Sequence, residues 1–153
     1  NSYRRLSRAS DKQNIMVGLT KKDAITGELM GTGRRKSSVA SVRVSNGTGK
    51  ITINGKEMKD FFVNQQDQKA ITDALDLVGK RDSLDIRINV KGGGLTGQSG
   101  ACRMGLARAL VSMSEENFQP LRDNGFMTRD SRMKERKKCG LHGARKGTQF
   151  SKR

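Results

Sequence analysis

Three stretches carry residue types that could do chemistry. Gly92-Gly93-Gly94-Leu95-Thr96-Gly97 stands before an apolar run with helical spacing. Backbone N–H groups ahead of a helix can cradle an anion, which makes this a candidate phosphate loop. It lacks the Gly-x-x-x-x-Gly-Lys-Ser/Thr spacing of a nucleotide loop. A tight turn, or contact with RNA phosphates, is the better reading. Cys139 and His142, as Cys-Gly-Leu-His, form half a zinc knuckle. His142 is the only His, and Cys102 falls on the apolar stripe of a predicted helix, so four ligands cannot be collected. Two Cys also argue against a disulfide scaffold. No nucleophile–His pattern and no carboxylate pair supports an enzyme.

The third stretch is cationic. Gly33-Arg34-Arg35-Lys36-Ser37-Ser38 precedes a predicted strand, and Lys134-Glu135-Arg136-Lys137-Lys138 opens the distal tail. Asp130 and Glu135 stand among these cations and read as their salt-bridge partners. Only Tyr3 and Phe150 accompany the basic segments as aromatics, which disfavours a single-strand reader built on stacking platforms. Phosphate and shape contacts to structured RNA fit better.

Position sharpens the charge. The chain has 153 residues and a formal net charge of +16. Residues 1–36 hold nine Lys and Arg against three acids, net +6. Residues 37–126 hold twelve against ten, net +2, and residues 127–153 hold ten against two, net +8. Two basic arms therefore flank a nearly neutral middle. A polyanionic partner follows, nucleic acid before an acidic membrane surface. No stretch approaches the ~18 apolar residues of a membrane span. From Lys134 onward only Leu141 and Phe150 are large and apolar. Such a segment buries too little to offset its ordering entropy, so it reads as a solvated, disordered tail or as an arm that orders only on RNA. The chain begins at Asn1 and its first 13 residues are rich in Arg and Ser. That segment reads as processed: the remnant of an organelle-targeting leader, or an RNA-binding extension.

These residues need elements to hold them. Leu84, Ile86, Ile88 and Val90 alternate with Asp85, Arg87 and Asn89, which predicts a half-buried strand over 84–90. Ala40, Val42 and Val44 predict a second over 38–44, and Ile51 and Ile53 a third over 50–54. Asn46-Gly47 between the last two predicts a tight hairpin. Helices are predicted over 56–62, 67–78, 98–113 and 115–123, the long one carrying a stripe of Cys102, Leu106, Leu110 and Met113. Ser114 reads as the cap of the last, and Pro120 implies a kink or a later start. The order gives an α+β fold, a small sheet covered by helices. The divisions are a basic extension over 1–30, a globular domain over 31–126 and a basic tail over 127–153.

Several blocks resemble one family. They are residues 31–40, Gly-Thr-Gly-Arg-Arg-Lys-Ser-Ser-Val-Ala, and residues 92–101, Gly-Gly-Gly-Leu-Thr-Gly-Gln-Ser-Gly-Ala. With them go Leu106-Ala107-Arg108-Ala109-Leu110, Thr128-Arg129-Asp130-Ser131-Arg132, Glu135-Arg136-Lys137-Lys138 and Gln149-Phe150-Ser151-Lys152-Arg153. In order and spacing they resemble the bacterial-type ribosomal protein S-nine family, the ninth proteins of the small subunit, from Gly31 to Arg153. The resemblance implies a fold like the second domain of ribosomal protein S-five, with a left-handed strand–helix–strand crossover against the usual right-handed rule. It implies a place in the head of the small subunit, on the 3′ major domain of the rRNA beside other head proteins. It implies rRNA contacts by Arg34, Arg35, Lys36, Arg129, Arg132, Arg136, Lys137, Lys138, Arg145 and Lys146. Lys152 and Arg153 match the cations that reach the anticodon stem-loop of P-site tRNA. No cofactor, no small-molecule substrate and no membrane is implied. Gly147-Thr148 stands where the family commonly has Ala-Pro, and Met104 where it frequently has His. The N-terminal extension favours an organellar ribosome, mitochondrial or plastid. A free RNA chaperone, or a ribosome-derived RNA-binding protein acting outside the ribosome, is the competing function, and a phosphotransfer enzyme using Gly92–Gly97 a distant third.

Overall fold

The computed structural model describes residues 21–23 and 25–151. The strands are β1 (Lys21–Lys22), β2 (Leu29–Arg35), β3 (Ser38–Asn46), β4 (Ile51–Ile53), β5 (Lys56–Glu57) and β6 (Leu84–Lys91). The helices are α1 (Met58–Phe61), α2 (Gln65–Val78), α3 (Leu95–Met113) and α4 (Phe118–Asp123), with a 3-10 turn at Glu115–Asn117. The strands form one six-stranded sheet in the order β1-β2-β3-β6-β4-β5. The α+β fold expected from the sequence is the observed one.

Strict alternation builds the centre of the sheet. Ala40, Val42 and Val44 of β3 and Ile86, Ile88 and Val90 of β6 are buried beneath the helices. Ser41, Arg43, Arg87 and Asn89 between them face outward, as a period of two requires. Ile53, Phe62, Ile71, Leu75, Leu106 and Leu110 complete the core. Burying each such side chain favours folding by roughly 1.5–3 kcal/mol.

The sequence pattern predicts no strand where β2 lies. Its inward positions are Gly31 and Gly33, so it shows no apolar alternation. The cause is close packing by α3. A Cβ at Gly31 would run into the Gly105 carbonyl oxygen, and one at Gly33 into the Ala101 carbonyl oxygen. α3 is accordingly buried on most of its circumference, a wider apolar surface than the predicted stripe. It starts at Leu95 rather than residue 98, with Gly94 as its N-cap.

The predicted Asn46-Gly47 hairpin does not form. β3 and β4 are not neighbours, because β6 lies between them, antiparallel to β3 and parallel to β4. The segment after β3 is tied instead to the start of β6. Gly47 N donates to the Ser83 carbonyl, and the Asp85 carboxylate accepts from Thr48 N and Lys50 N. Those backbone donors, Lys50 first, hold the Asp85 carboxyl below its usual range. The Asn-Gly hairpin occurs one strand later. Asn54 at φ 49° and Gly55 at φ 81° turn β4 into β5. Both central residues then have the positive φ of a two-residue hairpin turn. The parallel β4–β6 pair is joined through α1 and α2, a strand–helix–strand crossover.

The helix ends follow local rules. Asn64 caps α2, its side chain accepting from Gln66 N. Gly79 ends it in the left-handed region. Ser114 occupies a cap position but its side chain makes no cap bond. α4 begins at Phe118, so Pro120 falls in its first turn, where its missing N–H has no helical partner to lose. At the other end Gly125 N donates to Arg122 O and Phe126 N to Leu121 O, a Schellman closure with Gly125 at φ 74°. This turns the chain so that Phe126 is buried and the tail leaves the domain.

Candidate nucleic-acid interface

β2 and β3 are joined by the two-residue turn Lys36-Ser37. Alternation sends the adjacent cations apart. Arg34 is exposed on the side of the sheet away from the helices. Arg35 turns the other way and lies across Gly100, whose missing Cβ leaves room for its side chain. Its guanidinium donates to the Thr96 carbonyl at 3.2 Å and to the Asp130 carboxylate at 3.0 Å. Lys36 sits at the tip with φ 51°. That conformation costs a non-glycine residue roughly 1–2 kcal/mol.

The Gly-rich loop docks on this hairpin. Gly92 and Gly93 have φ 78° and 65°. The Gly92 carbonyl accepts from Ser38 Oγ at 2.9 Å and from the Gln98 amide at 3.1 Å. A Cβ on Gly93 would meet the Ser38 hydroxyl. Backbone conformation and close packing account for these glycines.

The tail starts from two anchors. Arg103 lies over the Phe126 ring, 5.3 Å from its centroid. Four residues on, Asp130 binds Arg35 and also takes Arg132 Nε and Nη2, at 3.0 and 2.9 Å. Arg132 foremost, by side-chain and backbone donors, holds the Asp130 carboxyl well below the usual carboxylate range, with a smaller part from Arg35. Arg35, Lys36, Asp130, Arg132, Met133 and Lys134 line a cleft of about 500 Å³. Further along, Glu135 bridges Lys138 at 3.0 Å and Arg145 at 2.8 Å, and Lys138 foremost lowers its carboxyl. Leu141 N donates to Lys138 O at 3.3 Å, closing the turn that carries Cys139, and His142 N donates to Lys146 O at 2.8 Å. No helix or strand forms over residues 124–151.

The salt-bridge reading of Asp130 and Glu135 therefore holds. Four of the expected RNA-binding cations, Arg35, Arg132, Lys138 and Arg145, are engaged by these two acids. Among the described residues, Arg34, Lys36, Arg129, Arg136, Lys137 and Lys146 have no acidic partner. Lys152 and Arg153 lie outside the described residues. The structure adds Arg43, Arg87 and Lys91, outward-facing on β3 and β6, which the sequence reading did not count as sites. The signal was present in the same alternation that located those strands.

Cys102 is buried in α3, and desolvation pushes its thiol up to about 12, so it stays protonated. It serves packing.

Fold and surface together define a class: a small α+β domain with a polycationic, extended C-terminal arm. Residues 33–153 match the family described as ribosomal protein S9/S16, and the chain belongs to that family. A curated relative is small ribosomal subunit protein uS9 of Rhodopirellula baltica (strain DSM 10527 / NCIMB 13988 / SH1). It is 62% identical over 133 residues, covering 87% of this chain and 97% of the relative.

Proposed function

We propose that this protein is a structural component of the small ribosomal subunit. Its domain and tail bind rRNA through backbone phosphates, and its last residues contact P-site tRNA. Kinship with a protein named for the small subunit supports the placement. Within the head of that subunit its neighbours are the 3′ major domain of rRNA and other head proteins. The bacterial source of the relative gives no support to the organellar ribosome favoured by the N-terminal segment. No helix among the described residues is long and apolar enough to cross a membrane.

The observation that carries the RNA reading is the anchored tail. Its path leaves the domain at Phe126, is pinned at Asp130, and then runs exposed, with Lys134, Arg136, Lys137 and Lys146 paired to no acid among the described residues. Phosphate contacts from Lys and Arg are independent of sequence, so one tail suits every tRNA. The role is structural rather than enzymatic. Deleting Ser151–Arg153 leaves the domain and the Asp130 anchor in place. Small subunits carrying that truncation assemble normally and release P-site tRNA faster. Unchanged tRNA off-rates would remove the tRNA role. Failure of the full-length protein to sediment with small subunits at high salt would remove the ribosomal placement.

A further inference from the structure

Among the described residues, the helices cover one face of the sheet and leave the other open. Register aligns its outward residues in rows. Arg34, Val39 and Lys91 form the row nearest the β2–β3 turn. Thr32, Ser41 and Asn89 form the next. Met30, Arg43, Arg87 and Thr52 form the third. None of these is aromatic, so the face offers no stacking platform for bases. It offers cations, hydroxyls and an amide.

The third row is unusual. Arg43 and Arg87 stand directly opposite one another across β3 and β6. Like charges so placed destabilise a sheet. Asp23 lies 3.8 Å from Arg43, and Glu28 pairs with Arg87, which offsets part of the repulsion. The two guanidinium side chains are still 40% and 60% exposed. With Thr52, Gly55 and Asn89 they line a cavity of about 250 Å³ on the open face. Its polar lining of two cations, a hydroxyl and an amide matches a phosphate group.

Charge is also graded along the face. Of its acids, Asp23, Glu28 and Asp85 gather at the end far from the β2–β3 turn, Asp85 already satisfied by Thr48 and Lys50, and Glu57 stands opposite Thr52 at the β5 edge. Arg34 and Lys91 stand at the near end, close to Lys36 and the cleft lined by Arg132 and Lys134.

From this arrangement we infer that the open face of the sheet is a second RNA-backbone interface, separate from the tail. Its cavity between Arg43 and Arg87 seats one phosphate, and Arg34 and Lys91 contact others toward the β2–β3 turn. This inference rests on the proposed RNA partner and assigns it to Arg43, Arg87 and Lys91, outside the expected sites.

The test uses the full chain and small-subunit rRNA. The double variant Arg34→Gln/Lys91→Gln removes two cations that have no acidic partner among the described residues. Its log–log slope of affinity against salt becomes shallower by about 1.4–1.8, from 0.7–0.9 per phosphate contact. The control Lys69→Gln/Arg122→Gln, on the helical layer, keeps the wild-type slope. A second measurement needs no variant: acylation of lysines by an activated ester, mapped by mass. rRNA protects Lys91 and leaves Lys69 reactive. An unchanged slope together with a reactive Lys91 in the complex overturns the inference, while RNA binding itself stands. Protection of Lys91 only when other subunit proteins are added also overturns it, assigning the face to a protein. Loss of all rRNA binding by the wild-type protein at low salt would instead overturn the proposed function.

Discussion

Asp130 shows how one acid directs many cations. It receives Arg35 from the hairpin, 95 positions away in the chain, and Arg132 from the tail. Counting charges along the sequence finds all three residues. It does not find the Arg35 contact, which depends on where α4 and its closing turn aim the chain. Because its carboxyl is held below the ordinary value near 3.9, the anchor is complete above that pH. It is lost only as pH falls through the lower folded-state value. In the wild type, NMR should show the Asp130 carboxyl titrating below the ordinary range, with the Arg132 Nε–H signal lost in parallel. Asp130→Asn should lose the anchor at neutral pH, seen as faster trypsin cleavage after Arg132 with little change in the melting of the domain. A titration midpoint near 3.9 would contradict this account.

At the scale of elements, legibility followed the physics of each signal. β3 and β6 were readable because every second residue is apolar and buried. β2 was not, because Gly31 and Gly33 replace the apolar residues so that α3 can approach. Of three Asn-Gly pairs, Asn124-Gly125 closes α4, and of the two that follow strands only Asn54-Gly55 makes a hairpin. The difference is long-range: β6 takes the place beside β3 that β4 was expected to fill. The glycines of β2 give a sharp test. In Gly33→Ala the new Cβ meets the backbone of Ala101 and Gly105, which cannot swing aside as a flexible side chain would. The expected loss is about 1–3 kcal/mol or more, measured by urea unfolding. A loss well under 1 kcal/mol would mean that α3 rides further from the sheet.

For the whole molecule, the distribution of charge decides behaviour. The net of +16 is placed mostly outside the near-neutral middle. On the proposed reading, attraction to RNA is therefore carried by the arms and by selected faces. If about six to ten phosphates are engaged, affinity for rRNA should fall about 10³–10⁵-fold between 50 and 200 mM salt. A flat salt response in a filter-binding or anisotropy titration would contradict a phosphate-based interface. The sequence made the polyanion partner legible through this count. It could not apportion cations between partners, because acids such as Glu135 and Glu28 neutralise some of them through contacts set by the fold.

The sheet order has a further consequence for how the chain assembles during synthesis. Strands β1 to β3 make one continuous meander, and β4 and β5 make a separate hairpin. Only β6 touches both, so a growing chain that ends before Leu84 holds two fragments with no shared strand. Long-range pairing of this kind makes folding slower. Because β6 and α3 precede the tail in sequence, the domain can close before the most cationic 27 residues are made. Nascent β-structure is thus completed away from the polycation that would otherwise draw it onto RNA half-folded.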